Sequence, residues 1–313
     1  MTVPTEIVDR AYRYFLGRDA RKDQPPKFQN YGDLVETLLG SAEFKASRRS
    51  KKFAHGWPIA QVFLSKDARV IYCPIGKNAC TFLKRQIARI SCVEFQDFLL
   101  PDIHRLTDRT NTGLQLSDYP REEMESLIRD PQYFRFAVLR HPEDRLLSAY
   151  IDKFIKNRED PAHIQHTRSV VQPVHLSDGL PEPDYRRGIT FRAFIEFITS
   201  QDPGRLDPHW KPQKLYLTGI SWDHFYMMDE INALVSDLER RTGKELPRRS
   251  ENATASGHGD AHPGAMDLLP TEIEALPAIG KASFWDDHLQ GLVREFFAED
   301  YSLCARTLGG STP

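Results

Sequence analysis

The chain has 313 residues, of which 40% are hydrophobic and 27% are charged, and its formal net charge at pH 7 is −2. This length allows a substantial hydrophobic core in one large domain or two smaller ones. The near-neutral charge argues against a protein that depends on bulk attraction to nucleic acid or anionic membranes, and no run of about 18 apolar residues predicts a transmembrane helix.

The N-terminal segment and the cysteines indicate the cellular compartment. The segment MTVPTEIVDRAYRYF lacks a basic region followed by an apolar stretch, so it does not predict a secretory signal. The four cysteines include no C-x-x-C pair, which argues against a structural zinc site. We therefore expect reduced thiols in a cytoplasmic protein.

Two helices are predicted near the N-terminus. Apolar residues at helical spacing predict a helix over residues 5–16 that ends at Gly17, and a second helix over residues 31–44. A polar loop that contains prolines separates them. We therefore expect a small helical hairpin and divide the chain into an N-terminal helical module, residues 1–50, and a second domain, residues 51–313.

From about residue 69 the chain alternates between strand and helix patterns. Each of three predicted strands is followed by a predicted helix: strands over 69–73, 134–139 and 224–228, and helices over 79–90, 143–155 and 231–242. A last helix is predicted over 284–298. This order predicts an α/β fold with a central parallel sheet flanked by helices. Residues 157–187 and 248–270 are rich in Pro, Gly, His and Ser and are predicted to be long surface loops.

The turn after the first predicted strand has the features of a phosphate-binding loop. It reads Pro74-Ile75-Gly76-Lys77-Asn78-Ala79-Cys80-Thr81-Phe82-Leu83-Lys84. The N–H groups at a helix start, a lysine and a hydroxyl favour an anion. The Walker A template is not met, because Ile71 stands where it needs a glycine and Asn78 where it needs the magnesium-binding hydroxyl. Taken alone, the turn is equally typical of an ordinary strand–loop–helix unit.

The turn after the second predicted strand adds an arginine and a serine. It reads Arg140-His141-Pro142-Glu143-Asp144-Arg145-Leu146-Leu147-Ser148-Ala149-Tyr150. Arg140 ends a strand where open α/β sheets bind ligands, and Ser148 can face the same crevice from the helix. Together they can clamp a phosphate. The alternative is that Arg140 and Arg145 form surface ion pairs with Glu143 and Asp144.

Together the two turns resemble the sulfotransferase family. They are most similar to the carbohydrate sulfotransferases that modify chondroitin-type and related glycans, and the chain resembles a soluble bacterial member of that group. A third segment, Asp207-Pro208-His209-Trp210-Lys211-Pro212-Gln213, resembles the H-W-x-x-Q segment of that family. The resemblance covers about residues 66–305. It implies a P-loop-like three-layer fold and an enzyme that transfers a sulfuryl group from 3′-phosphoadenosine 5′-phosphosulfate (PAPS) to a carbohydrate hydroxyl. It implies no required metal and no nucleic-acid partner.

The resemblance also implies roles for individual residues. Lys77 would contact the bridging oxygen and the 5′-phosphate of the donor, with Thr81 and Lys84 near that phosphate. Arg140 and Ser148 would hold the 3′-phosphate. The predicted donor site comprises Gly76, Lys77, Asn78, Ala79, Cys80, Thr81, Phe82, Lys84, Arg140 and Ser148.

A base must take the proton of the acceptor hydroxyl, and histidine suits this role because its ordinary pKa is about 6.5. His104 is the first candidate, because related glycan sulfotransferases carry a catalytic histidine at that place, and His209 is the second. We expect His141 to shape the nucleotide loop instead. The predicted catalytic residues are therefore Lys77, His104 and His209.

Two further histidine pairs have spacings that could hold a metal. They are His163 with His166 and His258 with His262, and both fall in predicted loops without an obvious third ligand, so we predict no metal site. We expect acceptor recognition by residues 105–120, 157–187 and 248–262. The sequence leaves the acceptor and the oligomeric state open. Two alternative functions are an ATP-dependent kinase of the same architecture and a non-catalytic nucleotide-binding module.

Overall fold

The computed structural model describes residues 2–20, 27–249 and 259–308. Its centre is a sheet of four strands in the order β1–β2–β3–β4, which are Phe63–Ser65, Val70–Cys73, Phe134–Leu139 and His224–Met227. Strands β2, β3 and β4 run parallel, and β1 pairs antiparallel with β2. The predicted α/β fold with a central, mostly parallel sheet is confirmed. The sequence pattern missed β1, because three residues are too few to show a period.

Helices pack on both faces of this sheet. In chain order they are α1 (Thr5–Leu16), α2 (Tyr31–Gly40), α3 (Ala42–Ala46), α4 (Cys80–Ile90), α5 (Gln96–Leu99), α6 (Ile103–Arg109), α7 (Arg121–Arg129), α8 (Pro142–Tyr150), α9 (Pro161–Ser177), α10 (Phe191–Thr199), α11 (Gln213–Tyr216), α12 (Ile231–Thr242), α13 (Pro270–Glu274), α14 (Asp287–Phe296) and α15 (Ala298–Leu308). A π-helix, Ile151–Lys156, continues α8.

The alternation of side chains along the strands separates the two faces. Tyr72 and Phe136 pack on one face with apolar residues of α4 and α12. Ile71 and Ala137, which neighbour them along the same strands, pack on the other face with residues of α7 and α15. Because successive strand residues point to opposite faces, both faces are covered and the predicted three-layer arrangement is confirmed.

The N-terminal helices belong to the same hydrophobic core as one face of the sheet. Helix α1 ends at Gly17, whose backbone is left-handed, as the sequence predicts. The second predicted helix is instead divided at Ser41, whose hydroxyl accepts a hydrogen bond from the Phe44 amide and so begins α3. Phe15 and Leu34 belong to the same buried cluster as the strands. The division of the chain at residue 50 stays a prediction.

The predicted loop over residues 157–187 is wrong, because it contains the 17-residue helix α9. The Asp160 carboxylate caps this helix by accepting from the Ala162 amide, and Pro161 occupies the first turn, where its missing N–H is not needed. Val170 and Val171 are buried against α8, α10 and α14. The proline and histidine content therefore predicts a loop, whereas the N-cap and the buried side chains of this segment favour a helix.

Two other helices end at different residues in the structure than the sequence predicts. The helix predicted over 143–155 ends as α8 at Tyr150 and continues as the π-helix, and the helix predicted over 284–298 is the shorter α14. Of the second predicted loop, residues 250–258 lie outside the described residues. Within the described ranges no helix has the length and apolar character needed to cross a bilayer.

Candidate functional site

A cleft of about 860 Å³ opens at the carboxyl ends of β2, β3 and β4. This is the edge at which α/β sheets bind their ligands. The residues around it come from the two turns, from α6 and α9, from the π-helix and from the 208–209 segment. It brings together all the predicted site residues but one: Gly76, Lys77, Ala79, Cys80, Thr81, Phe82, Lys84, His104, Arg140, Ser148 and His209.

The exception is Asn78, which points into the protein and is 1% exposed. Its side-chain N–H groups donate to the Val138 carbonyl at 2.8 Å and to Gln213 Oε1 at 2.6 Å. The residues on either side, Lys77 and Ala79, both have left-handed backbones, with φ of 69° and 54°. The turn is therefore anchored by Asn78 in a conformation that non-glycine residues rarely adopt, and Lys77 is presented to the cleft.

The second turn is bonded to the first. Gln213 accepts from the Arg140 amide at 3.0 Å and donates to the Arg140 carbonyl at 2.8 Å. The Arg140 guanidinium donates to the Lys77 carbonyl at 3.0 Å. Because Gln213 also accepts from Asn78, one buried amide joins both turns. The two turns are thus joined by one connected hydrogen-bond network.

Arg145 joins this network to the segment that carries His209. It is 1% exposed and donates to the carbonyls of Gly76 at 2.9 Å, Lys211 at 2.8 Å and Pro208 at 3.1 Å. The alternative that Arg140 and Arg145 form surface ion pairs is wrong, because both are buried and neither pairs with an acid among the described residues. Sequence reasoning missed the role of Arg145, although it stands inside the quoted motif.

Positive charge is concentrated in the cleft. Among the described residues that line it, six are lysine or arginine and two are acidic: Lys77, Lys84, Arg105, Arg140, Lys153 and Arg249, with Asp108 and Asp152. The whole chain has a net charge of −2, so this excess is local. Such a lining favours a ligand with several negative charges.

Both ring nitrogens of His104 contact side chains of α4. Lys84 Nζ lies 3.1 Å from Nδ1, and Thr81 Oγ1 lies 2.7 Å from Nε2. Burial, together with the charges of Lys84 and Arg85, lowers the pKa of His104 to about 3. The ring is therefore neutral at pH 7. Because an ammonium group only donates, Nδ1 is the acceptor and Nε2 carries the proton that Thr81 accepts.

His209 has a different environment. Its Nδ1 lies 2.7 Å from Asp207 Oδ1, and His166 Nδ1 lies 2.9 Å from the other oxygen of the same carboxylate. Burial raises the pKa of Asp207, but the hydrogen bonds from His166 and His209 outweigh this and hold it far below its usual range. Burial lowers the pKa of His209 despite the neighbouring carboxylate. Neutral His209 thus donates from Nδ1, and its Nε2 has no hydrogen-bond partner among the described residues.

The same three residues form a group that could hold a metal ion. The candidate ligand atoms of His166, Asp207 and His209 lie within 4.8 Å of one another. His163 is not part of the group, and its Nδ1 lies 3.4 Å from Lys153 Nζ. The other predicted pair includes His258, which lies outside the described residues. The absence of a required metal stays a prediction.

Comparisons with known proteins extend this description. The model of the sulfotransferase family matches residues 60–303. Carbohydrate sulfotransferase 14 of Homo sapiens is 29% identical over 154 residues, which are 49% of this chain and 38% of that protein. The Danio rerio protein of the same name is 27% identical over 154 residues, 49% of this chain and 40% of that protein. Carbohydrate sulfotransferase 10 of Mus musculus is 25% identical over 190 residues, 60% of this chain and 50% of that protein.

The matches cover only part of this chain and part of each relative. The chain spans half or less of the length of these curated relatives. The matched family region begins after the N-terminal helices and includes both turns and the 207–213 segment. No solved structure gives a significant match.

Proposed function

Because the chain belongs to the sulfotransferase family, we propose that it is an enzyme that transfers a sulfuryl group from PAPS to a hydroxyl group of a carbohydrate. One observation carries the proposal. The cleft combines Lys77, Thr81 and Lys84 of the first turn with Arg140 and Ser148 of the second. The names of the relatives support a carbohydrate, either a glycan or a glycoconjugate, as the acceptor.

The residues of the cleft fit the charge of this donor. PAPS carries a phosphosulfate on its 5′ side and a phosphate on its 3′ side. We assign the 5′ side to Lys77, Thr81 and Lys84, and the 3′-phosphate to Arg140 and Ser148. The side chains of Lys84 and Arg140 are almost fully buried, so their charges interact strongly with a bound anion.

The proposed reaction is an in-line displacement at sulfur. The acceptor oxygen forms a bond to sulfur while the bond from sulfur to the bridging oxygen breaks. The proton of the acceptor goes to a base, and negative charge appears on the 5′-phosphate of the product, 3′-phosphoadenosine 5′-phosphate (PAP). In this assignment the Lys77 ammonium group stabilises that charge.

We assign the base to His209 rather than to His104. The Asp207 carboxylate holds the tautomer of His209 with Nε2 unprotonated, and it would stabilise the imidazolium ion that forms. His104 keeps its contacts with Thr81 and Lys84, which suits a role in orienting these two donors. This assignment reverses the order that the sequence favours.

The two alternative functions would require different residues in the cleft. A kinase needs a magnesium ligand close to the phosphate-binding lysine. The residue after Lys77 is Asn78, whose side chain is bonded to Val138 and Gln213 inside the protein, so it supports no such role. The carboxylate beside Lys77 is that of Asp152, and it is paired with Lys77 and Lys153. A non-catalytic module would bind the nucleotide but would have no use for the His209–Asp207 pair. The cytoplasmic location stays a prediction.

The test is sulfuryl transfer from [³⁵S]PAPS to a panel of neutral and anionic polysaccharides, with a chelator present. We expect label in at least one polysaccharide, and loss of that label when Lys77 is replaced by alanine. Transfer of phosphate from γ-labelled ATP with magnesium, and no sulfuryl transfer, would support the kinase instead. PAPS binding without transfer to any member of a broad panel would favour the non-catalytic module.

A further inference from the structure

One carboxylate of the cationic cleft, that of Asp152, contacts two of its lysines. Asp152 Oδ2 lies 3.1 Å from Lys77 Nζ and 3.5 Å from Lys153 Nζ. Its side chain is 33% exposed and lines the same cleft as the two turns. A negative charge weakens the binding of anions, so its contact with the lysine assigned to the 5′-phosphate requires a reason.

The fold holds this carboxylate in one orientation. Asp152 lies four residues after Ser148, so the two share a helix face, and it belongs to the π-helix that continues α8. The Asn157 side chain donates to the Asp152 carbonyl at 2.9 Å and to its Oδ1 at 3.1 Å. One carboxylate oxygen is therefore held by Asn157, and the other is left for Lys77 and Lys153.

Asp152 also affects the charge of Lys77. Burial lowers the pKa of Lys77, and Asp152 opposes this by its charge and its hydrogen bond. Of the other groups that face Lys77, Lys153 lowers its pKa further and Cys80 raises it. The neighbouring lysines in turn outweigh the effect of burial and lower the pKa of Asp152, so it is ionised at neutral pH.

We propose that Asp152 is a positioning residue that holds the Lys77 ammonium group in the nucleotide-free enzyme and weakens the hold of the cleft on the nucleotide product. The inference rests on the proposed function, because it takes the product to be PAP. Asp152 and the 5′-phosphate compete for the same ammonium group, and the two anions repel each other. Release of PAP then returns Lys77 to Asp152.

The test is the affinity of the full chain for PAP, measured by isothermal titration calorimetry for the unmodified protein and for Asp152→Asn. Asparagine keeps the size of the side chain and an oxygen for Asn157 but removes the charge. We expect Asp152→Asn to bind PAP about tenfold more tightly. Damage to the site would change the affinity in the opposite direction. Asp152→Ser, with a smaller neutral side chain, should also bind more tightly and serves if the amide disturbs folding.

Asp108→Asn is the matched control. Asp108 lines the same cleft but has no ion pair among the described residues, and its carboxylate accepts from Gln115 at 3.2 Å. We expect its affinity for PAP to change by less than about threefold. Equal tightening in both variants would overturn the inference, since the contact with Lys77 would then be irrelevant.

The pH dependence gives a second readout. Asp152 raises the pKa of Lys77, so its removal lets Lys77 lose its proton at a lower pH. We therefore expect PAP binding by Asp152→Asn to weaken at a lower alkaline pH than in the unmodified protein. If the unmodified protein binds PAP, unchanged or weaker binding by Asp152→Asn at pH 7 would overturn this inference but not the proposed function. No PAP binding by the unmodified protein would overturn the proposed function as well.

Discussion

The two sides of the cleft are built differently. On the proposed donor side, Arg140 directly follows β3 and Lys77 lies in the short turn after β2, and short motifs in the sequence contain both. On the acceptor side, His209 and Asp207 meet His166 of α9, which lies 41 residues from Asp207 in the chain. Local strand–turn–helix units can therefore be read from sequence, whereas a site assembled from distant segments depends on tertiary packing.

The two sides also differ in what stabilises them. Asn78, Gln213 and Arg145 are at most 1% exposed and bond mainly to backbone carbonyls, so the donor side is part of the core. The side chains of His166, Asp207 and His209 are 30%, 13% and 24% exposed. We expect changes on the donor side to affect nucleotide binding, and changes on the acceptor side to affect turnover alone. Variants at five positions test this contrast.

The largest effect is expected for Lys77→Ala. Loss of the charge that stabilises the leaving phosphate should lower the rate of sulfuryl transfer about 10³-fold, with the fold retained. The measurement is single-turnover transfer from [³⁵S]PAPS. Lys156→Ala is the control, because Lys156 is exposed at the end of the π-helix Ile151–Lys156 and does not line the cleft. A rate for Lys77→Ala equal to that of the control would remove Lys77 from the mechanism.

His209→Ala separates the two sides most clearly. Turnover should fall by about 10²-fold because the base is lost, while the affinity for PAP measured by calorimetry stays unchanged. His104→Ala should weaken the binding of PAP, because Thr81 and Lys84 lose the ring that orients them. If His104→Ala lowers turnover at constant affinity and His209→Ala does not, the assignment of the base is reversed.

Arg140→Ala tests the donor side. The affinity for PAP should fall by about 1.5–3 kcal/mol, the size of a lost hydrogen bond to a charged group. Adenosine 5′-phosphate, which lacks the 3′-phosphate, serves as the matched ligand, and its affinity should change much less. Equal losses for both nucleotides would contradict the assignment of Arg140 to the 3′-phosphate.

His166 gives the smallest expected effect. In His166→Ala, Asp207 loses one donor but keeps its bonds to His209, so turnover should fall by about fivefold with the affinity for PAP unchanged. In His166→Asn an amide N–H can replace the lost donor, and turnover should recover. A loss of PAP affinity in either variant would show that the two sides are not separable.

The sequence predicts the fold well, and it predicts most of the motif residues that the structure places in the cleft. The strand at Phe134–Leu139 and the end of α12 at Gly243 follow from local preferences, and each strand–turn–helix motif places most of its own residues at the cleft. Helix α9 lies where the sequence predicts a loop, because a high content of proline and histidine is typical of loops. The order of His104 and His209 depends on hydrogen bonds that only the folded chain shows. Lys84 lies 20 residues from His104 in the chain, and Asp207, although only two residues from His209, must place its carboxylate against Nδ1.

The measurement that tests the account most directly is a thermal-shift comparison of PAP, ADP, and ATP with magnesium. A ligand at 100 times its dissociation constant stabilises the folded state by about 2.7 kcal/mol, which is readily detected. The account predicts a clear shift with PAP in the presence of a chelator, and little with ADP, because only PAP carries the 3′-phosphate assigned to Arg140 and Ser148. A shift with magnesium and ATP, and none with PAP, would contradict it.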